Sequence, residues 1–288
     1  MIDRRRFVIA ASLSISGSMR AAELRFAGLK PAFKQLEEYN GGRLGVAVLD
    51  LTTGERSGFR DNERFAMCST FKFLLAAQVL RRIDRREEAL SRAIAVPAKP
   101  LLYHSPLTEA HAGGSMTVAE LVEAVLTQSD NTAANLLLES IGGPDSLTRF
   151  ARVIGDTLTR LDRTETSLNE ALAGDARDTT SPRSMTDNLN SVLFGRVLLP
   201  ASRAQLTTWM TACETGLDRL RAKLPSGWRA ADKTGANGEH TSNDIGVFWP
   251  VGRSPVIIAA YITQCQGPES KRAAMLAEIG RLVFQTFT

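Results

Sequence analysis

The chain has 288 residues, of which 43% are hydrophobic and 23% charged. This balance is typical of a folded globular protein and excludes a disordered, collagen-like or multi-span membrane protein. Three cysteines are too few for a disulfide scaffold, and three histidines without ligand spacing argue against a zinc enzyme, so we expect no metal and no other cofactor. The formal net charge of +4 would suit a nucleic-acid-binding protein unless one segment carries it.

The N-terminal segment, residues 1–22, carries most of that charge. It holds four arginines against Asp3, which leaves about +1 for the rest of the chain. Its basic start is followed by an apolar run over residues 7–17 and then by small residues, which is the pattern of an export signal and is too short to cross a bilayer as a helix. Because Arg4-Arg5-Arg6-Phe7 also resembles the twin-arginine export signal, we expect a periplasmic mature protein without nucleic-acid partners or stable membrane association.

The segment after this leader predicts a strand hairpin and then a helix. Residues 43–50 form a short run rich in Val and Leu, and the turn that follows returns the chain over residues 55–60. Residues 71–90 are apolar early and charged late, which predicts a helix. The charges over residues 81–88 mix both signs, so we interpret them as a solvated helix face rather than a binding patch.

The middle of the chain predicts further helices. Thr117 and Glu120 form a capping-box signature before an apolar run, which starts a helix toward residue 127. A helix over residues 131–141 stops at a pair of glycines. Residues 162–182 are polar without a clear period, and a long loop of this kind is usually functional.

The C-terminal part returns to strands, over residues 231–235, 244–249 and 255–261, and ends with a helix over about residues 268–287. Strands thus come from both ends of the chain and helices from the middle. This order predicts an α+β fold with one antiparallel five-stranded sheet built from both termini and flanked by helices. We assign residues 23–61 and 212–288 to this α/β lobe and residues 62–211 to an inserted all-helical lobe.

Four short motifs carry the chemistry of the sequence. A lone Ser-x-x-Lys is weak evidence, because average composition predicts about one by chance in a chain of this length. Each of the other three is expected on the order of 0.1 times or fewer. We therefore treat the ordered set as significant: Ser69-Thr70-Phe71-Lys72, Ser129-Asp130-Asn131, Glu165-Thr166-Ser167-Leu168-Asn169 and Lys233-Thr234-Gly235.

Ser69 and Lys72 are a candidate nucleophile and base. They stand three residues apart at the start of a helix, so they share one face. A serine hydroxyl is a poor nucleophile without an adjacent base, and Lys72 can act as one if burial and a second cation lower its pKa. The free N–H groups at the helix N-terminus could also stabilise a tetrahedral oxyanion. Taken alone, Ser69 would be an ordinary helix N-cap residue.

Together the four motifs resemble those of the class A serine β-lactamases, over about residues 41–284. The resemblance implies hydrolysis of penicillins and cephalosporins through a serine acyl-enzyme, and hence antibiotic resistance, at an active site between the two lobes. Ser69 would be the nucleophile, and the backbone N–H groups of Ser69 and Ala236 its oxyanion hole. Glu165 and Asn169 would hold the water that hydrolyses the acyl-enzyme. The resemblance leaves open whether Lys72 or Glu165 takes the first proton.

The same resemblance assigns the residues that contact the substrate. Ser129 would relay a proton to the lactam nitrogen, and Asn131 would bind the acylamide side chain. Lys233 and Thr234 would meet the substrate carboxylate, with Gly235 and Ala236 as the adjoining binding positions on the same strand.

Three further assignments come from alignment with that family. Arg219 aligns with an arginine that some members use to bind the substrate carboxylate, and His104 falls where an aromatic residue usually walls the cleft entrance. Arg163 and Asp178 lie near the two ends of the polar loop, where they would close it as an ion pair.

The cysteines are expected to be free thiols. In the carbapenem-hydrolysing branch of the family the counterpart of Cys68 bonds a cysteine at the position that Asn237 occupies here. A second disulfide known in some members would join the positions of Ala76 and Val122. The resemblance therefore implies three unpaired thiols and no carbapenemase signature.

Two other functions share part of this pattern. A penicillin-binding D,D-peptidase has the motifs around Ser69, Ser129 and Lys233, but the segment from Glu165 to Asn169 is expected only in the hydrolase. A non-hydrolytic β-lactam sensor domain stays acylated and usually has a membrane anchor. No sequence feature predicts oligomerisation, so we expect a monomer.

Overall fold

The computed structural model describes residues 25–287, so the predicted export segment lies outside the described residues. The nine strands are β1 (Arg43–Asp50), β2 (Arg56–Phe59), β3 (Phe65–Ala66), β4 (Ala93–Ala95), β5 (Ser115–Thr117), β6 (Thr179–Thr180), β7 (Arg229–Ala236), β8 (Ser242–Trp249) and β9 (Val256–Thr263) in this part of the chain. The nine α-helices of the same range are α1 (Leu29–Asn40), α2 (Phe71–Asp84), α3 (Pro106–Glu109), α4 (Val118–Thr127), α5 (Asn131–Ile141), α6 (Pro144–Val153), α7 (Pro182–Leu193), α8 (Pro200–Thr211) and α9 (Glu269–Gln285).

The main sheet has five strands in the order β2-β1-β9-β8-β7, and every neighbouring pair is antiparallel. The first and last thirds of the chain therefore meet in one sheet, which confirms the predicted α+β fold. The three inner strands β1, β9 and β8 are buried along almost their whole length. Because a sheet with both faces buried needs a cover on each side, this pattern explains why helices lie on both faces.

Alternate residues of the sheet enter two separate apolar clusters, as the period of a strand requires. On one face, Val46 and Ile258 pack with Phe33 of α1 and with Phe284 of α9. On the other face, Val247 joins the larger cluster, which contains the buried apolar residues of α2, α4 and α5. The assignment of residues 62–211 to a separate helical lobe stays a prediction.

Two of the predicted helices have the expected ends. Thr117 accepts a hydrogen bond from the backbone N–H of Glu120, while the Glu120 carboxylate accepts from the N–H of Thr117, so the capping box of α4 is complete. Helix α5 ends at Gly142, whose left-handed conformation (φ 94°) suits glycine.

The helix predicted over residues 71–90 is too long, because α2 ends at Asp84. Arg86 adopts a left-handed conformation with φ of 61°. The carboxylate of Asp84 accepts hydrogen bonds from the backbone N–H of Leu199, at 2.7 Å, and from Ser202 Oγ, at 2.5 Å. The start of α8 therefore receives its cap from the end of α2, and this contact is invisible to a local pattern.

The polar segment over residues 162–182 is a loop for most of its length, with one 3₁₀ turn (Ser167–Asn169) and the two-residue strand β6, which pairs with β3. Cys68, Cys213 and Cys265 are buried and unpaired, which confirms the prediction of free thiols. Between residues 25 and 287, no helix is both long and apolar enough to span a membrane.

Candidate active site

Ser69 lies in a 3₁₀ turn (Cys68–Thr70) that leads directly into α2. This turn packs against strand β7 so closely that Gly235 has no room for a side chain. A Cβ atom on Gly235 would lie 2.7 Å from the carbonyl oxygen of Met67 and 3.1 Å from the backbone nitrogen of Ser69. The glycine of the Lys-Thr-Gly motif thus permits the contact that places β7 beside Ser69.

Lys72 is fully buried one turn further along α2. Its Nζ donates to Asn131 Oδ1 at 2.6 Å and to the carbonyl oxygen of Ser129 at 2.7 Å, and it lies 2.9 Å from Glu165 Oε1. Burial lowers the pKa of the Lys72 ammonium, while the Glu165 carboxylate opposes that shift. The Lys72 ammonium thus has three close oxygen partners, two from the Ser-Asp-Asn motif and one from Glu165.

The Ser-Asp-Asn motif forms the turn that starts α5. Ser129 has a left-handed backbone (φ 60°), and buried Asp130 is the N-cap residue. Asp130 accepts from the backbone N–H of Ala133 at 2.9 Å and from that of Thr108 at 2.9 Å. Asp130 thus fixes the turn that directs Ser129 and Asn131 toward Lys72, a role that the sequence analysis did not assign to it.

Lys233 reaches the same turn from strand β7. Its Nζ donates to Ser129 Oγ at 3.0 Å and to the carbonyl oxygen of Thr234 at 2.8 Å. Burial lowers the pKa of Lys233 to about 7, and the charges of Lys72 and Arg219 act in the same direction. Ser129 Oγ therefore lies between two buried lysines, because Lys72 Nζ is 3.4 Å from it on the other side.

Glu165 approaches Ser69 from the polar loop. Its Oε1 accepts from Ser69 Oγ at 3.2 Å, and its Oε2 accepts from Asn169 Nδ2 at 2.7 Å. Asn135 holds the backbone of Glu165 on both sides, since its Nδ2 donates to the Glu165 carbonyl at 2.8 Å and its Oδ1 accepts from the Glu165 N–H at 2.9 Å. Sequence reasoning missed Asn135, although it stands four residues after Asn131 and so shares its helix face.

The ends of the polar loop are joined by Arg163 and Asp178. Arg163 Nε lies 2.6 Å from Asp178 Oδ2, and the Asp178 side chain is 1% exposed. Asp178 Oδ1 also accepts from the backbone N–H groups of Asp162, at 2.7 Å, and Arg163, at 3.0 Å. The Asp178 carboxylate therefore holds the two ends of the polar loop together.

These groups open onto a cleft of about 740 Å³, and the predicted site residues that line it are Ser69, His104, Ser129, Asn131, Asn169, Arg219, Thr234, Gly235 and Ala236. Lys72, Glu165 and Lys233 lie behind this lining as buried groups. A second cavity of about 410 Å³, beneath residues 171–177, contains none of the candidate catalytic groups. Within residues 25–287, no cluster of three or more His, Cys, Asp or Glu side chains could hold a metal ion.

Comparison with known proteins agrees with this geometry. The sequence pattern of the Beta-lactamase enzyme family matches residues 28–287. The chain belongs to this family. It is 45% identical over 248 residues to Beta-lactamase CTX-M-8 of Citrobacter amalonaticus, covering 86% of this chain and 85% of that protein. It is 44% identical over 297 residues to Beta-lactamase L2 of Stenotrophomonas maltophilia, with 98% of each chain covered.

Solved structures show the class within the family. An ancestral class A β-lactamase superimposes with a TM-score of 0.88 at 55% identity, covering 90% of this chain and all (100%) of that one. A β-lactamase from Xanthomonas campestris pv. campestris superimposes with a TM-score of 0.90 at 47% identity, covering 92% and 99%. The protein is therefore a class A β-lactamase in fold and family.

Arg219 and His104 both line the cleft of this β-lactamase. Arg219 is 9% exposed, and its guanidinium donates to the carbonyl oxygens of Gly235, at 3.1 Å, and Asn243, at 2.9 Å. His104 is exposed with a left-handed backbone (φ 58°), and its Nε2 lies 2.8 Å from the carbonyl oxygen of Gln128. Tyr103, with 88% exposure, lines the same end of the cleft beside His104.

Proposed function

We propose that this β-lactam hydrolase opens the lactam ring of penicillins and cephalosporins through an acyl-enzyme on Ser69, and so confers resistance to them. One observation supports this most directly: the two oxygens of Glu165 are divided between the nucleophile side and Asn169. Oε1 faces Ser69 Oγ and Lys72 Nζ, and Oε2 accepts from Asn169. A single carboxylate thus stands where it can serve both the formation and the hydrolysis of an ester.

In the acylation step, Ser69 Oγ attacks the lactam carbonyl carbon and loses its proton to a neighbouring base. Of the two candidate bases, Glu165 contacts the nucleophile directly, because its Oε1 is 3.2 Å from Ser69 Oγ, while Lys72 Nζ contacts the same Glu165 oxygen at 2.9 Å. The backbone N–H groups of Ser69 and Ala236 would hold the developing oxyanion, with β7 packed against the Ser69 turn through Gly235.

Ring opening breaks the C–N bond, and the leaving nitrogen needs a proton. Ser129 Oγ is the best-placed donor, because it lies 3.4 Å from Lys72 Nζ and 3.0 Å from Lys233 Nζ. Two ammonium groups can thus replace the proton that Ser129 gives away, which makes Ser129 a relay between the buried lysines and the substrate.

Deacylation requires a water molecule activated against the ester carbonyl. Glu165 would accept the proton of this water while Asn169 holds it, and the proton then returns to Ser69 as the product carboxylic acid leaves. Asn169 Oδ1 is buried without a hydrogen-bond partner among residues 25–287, so it can accept one from that water. General-base catalysis by such a carboxylate contributes about 10²–10⁴ to the rate.

The anionic end of the substrate would bind at Lys233, Thr234 and Arg219. Asn131 would contact the acylamide group, and His104 would wall the cleft entrance. Thr234 Oγ1 is 2.5 Å from Thr215 Oγ1, which fixes its hydroxyl at the cleft surface. Positive charge at Lys233 and Arg219 attracts an anionic substrate into the cleft.

The rival functions differ in the fate of the acyl-enzyme. A D,D-peptidase or a sensor domain acylates but lacks this deacylation machinery, whereas Glu165 and Asn169 are in mutual contact here. We also propose that the enzyme is exported to the periplasm by the twin-arginine route and acts there as a monomer.

Mixing the enzyme with a chromogenic cephalosporin tests the proposed function. If the protein is a hydrolase, each enzyme molecule should turn over many substrate molecules at a steady rate. A single stoichiometric burst that then stops would contradict it and favour one of the two rivals.

A further inference from the structure

The guanidinium of Arg219 has few donors left for a ligand. One of its terminal nitrogens, NH1, already donates to the carbonyl oxygens of Gly235 and Asn243. Its Nε is buried and has no hydrogen-bond partner among residues 25–287. Of the five N–H donors of a guanidinium, the two on NH2 are therefore the ones that can meet a carboxylate in the cleft, because Nε is buried and NH2 contacts the cleft residue Glu269.

That nitrogen already has a carboxylate partner. Glu269, the first residue of α9, lines the cleft, and its Oε1 accepts from Arg219 NH2 at 3.0 Å. The same oxygen accepts from Ser242 Oγ at 2.7 Å. Glu269 thus engages one of the two NH2 hydrogens, so a ligand carboxylate that binds Arg219 must lie beside the Glu269 carboxylate or displace it.

The second oxygen of Glu269 serves a structural purpose. Its Oε2 accepts from Arg272 NH2 at 2.9 Å, and the Arg272 side chain is fully buried. Arg272 also donates to the carbonyl oxygens of Cys265, at 3.1 Å, and Gly267, at 2.7 Å. The Arg272 pair holds Glu269 in position one turn away on the same helix, so the carboxylate stays beside Arg219.

We propose that Glu269 is a specificity-determining residue of this β-lactamase: its carboxylate competes with the carboxylate of the substrate for Arg219 and so weakens the binding of anionic substrates. The inference rests on the proposed role of Arg219 in binding that group. It explains why a cleft with several cations contains a carboxylate that is 38% exposed. The competition acts on binding and leaves the acylation and deacylation groups untouched.

Two substitutions weaken the contact between residue 269 and Arg219 in different ways. In Glu269→Gln the amide oxygen can still accept from buried Arg272, while the amide N–H₂ faces Arg219 and no longer competes as an anion. In Glu269→Asp the carboxylate keeps its charge but is one methylene shorter, so its contacts with Arg219 and with Arg272 both lengthen. Thermal unfolding of both variants checks that α9 stays folded.

Steady-state kinetics with a chromogenic cephalosporin that has one carboxylate test the proposal. Loss of competition for one charge-assisted hydrogen bond predicts that KM falls about three- to tenfold in both variants, with kcat within about twofold of the parent. Glu278→Gln is the matched control, because Glu278 lies on the same helix, is 38% exposed and pairs with Arg281 three residues on. Its KM should not change.

The Arg219→Ala background completes the experiment. There KM should rise, and Glu269→Gln should no longer lower it, because the group for which Glu269 competes is gone. A KM that is unchanged or raised in both Glu269 variants would overturn the proposal. If Arg219→Ala itself leaves KM unchanged, the carboxylate-binding role of Arg219 fails and the proposal with it. Absence of turnover in the parent enzyme would instead contradict the proposed function.

Discussion

Ser69 and Glu165 meet through oxygen atoms 3.2 Å apart, yet the backbones that carry them are held in different ways. The Ser69 turn is anchored by fully buried apolar neighbours such as Met67 and Phe71, and strand β7 packs against it through Gly235. Glu165 lies in a loop whose position depends on polar contacts, namely those of Asn135 and the Arg163–Asp178 pair.

This difference separates the two half-reactions. Ser69 and Lys72, the nucleophile and the second candidate base for acylation, belong to close-packed elements, in which a small change of volume is costly. The group for deacylation depends on a few hydrogen bonds that one substitution can remove. Damage to the loop should therefore slow deacylation first, whereas damage to the contact between β7 and the Ser69 turn should slow acylation first.

The largest effect is expected from removing the loop carboxylate itself. Glu165→Gln keeps the shape of the side chain but cannot accept a proton, so deacylation should fall about 10²–10⁴-fold while the acyl-enzyme accumulates. Intact-protein mass spectrometry after mixing with a penicillin measures that adduct. Glu109→Gln, at a side chain that is 66% exposed in an ion pair with Lys99, is the control. Unimpaired turnover by Glu165→Gln would refute its assigned role.

A change on the opposite side of the site should act on acylation. The Cβ of Gly235→Ala would lie 2.7 Å from the Met67 carbonyl oxygen, so the Ser69 turn must shift. A displacement of about 1 Å at a reacting group can cost about 10²-fold in rate, and we expect an acylation rate reduced by that order. Gly28→Ala is the control, because nothing lies within 4 Å of its Cβ position.

Weakening the base of the loop should give a smaller loss. In Asp178→Asn the side-chain oxygen can still accept the backbone N–H groups, but the amide cannot pair with Arg163. We expect the deacylation rate to fall about tenfold, because Glu165 is no longer held in place. The protein itself should stay folded. Asp187→Asn is the control, since that carboxylate is 48% exposed in a pair with Arg56. An unchanged deacylation rate in single-turnover experiments would contradict this account of the loop.

The smallest effect is expected when the pH is changed and KM for an anionic substrate is measured. Because burial lowers the pKa of Lys233 to about 7, its positive charge is present below that pH and lost as the pH rises through it. Burial also raises the pKa of the neighbouring Asp244 to about 7, and its deprotonation weakens the positive field in the same direction. KM for an anionic substrate should rise between threefold and about tenfold from about pH 6 to pH 8. Lys233→Arg, which stays charged, should flatten the profile.

Much of this molecule follows from its sequence, but the contacts between distant segments do not. The capping box of α4 and the five strands depend on local patterns, and the structure has them where these patterns predict. The end of α2 at Asp84 depends on a hydrogen bond to a residue 115 positions away, so the pattern over residues 71–90 cannot reveal it.

The candidate site shows the same limit. Short motifs identify the groups that carry chemistry, because nucleophile and base need fixed residue types. The residues that position them meet across the fold: Asn135 contacts a backbone 30 residues away, and Glu269 contacts Arg219 across 50. Neither residue belongs to a recognisable motif, so only three-dimensional proximity distinguishes them.

Stopped-flow single turnover with a chromogenic cephalosporin tests the separation of the two half-reactions most directly. Acylation and deacylation rates are measured separately in the parent enzyme, in Gly235→Ala and in Asp178→Asn. We expect a crossed pattern, in which Gly235→Ala slows acylation more than deacylation and Asp178→Asn slows deacylation more than acylation. Equal slowing of both steps in both variants would contradict it.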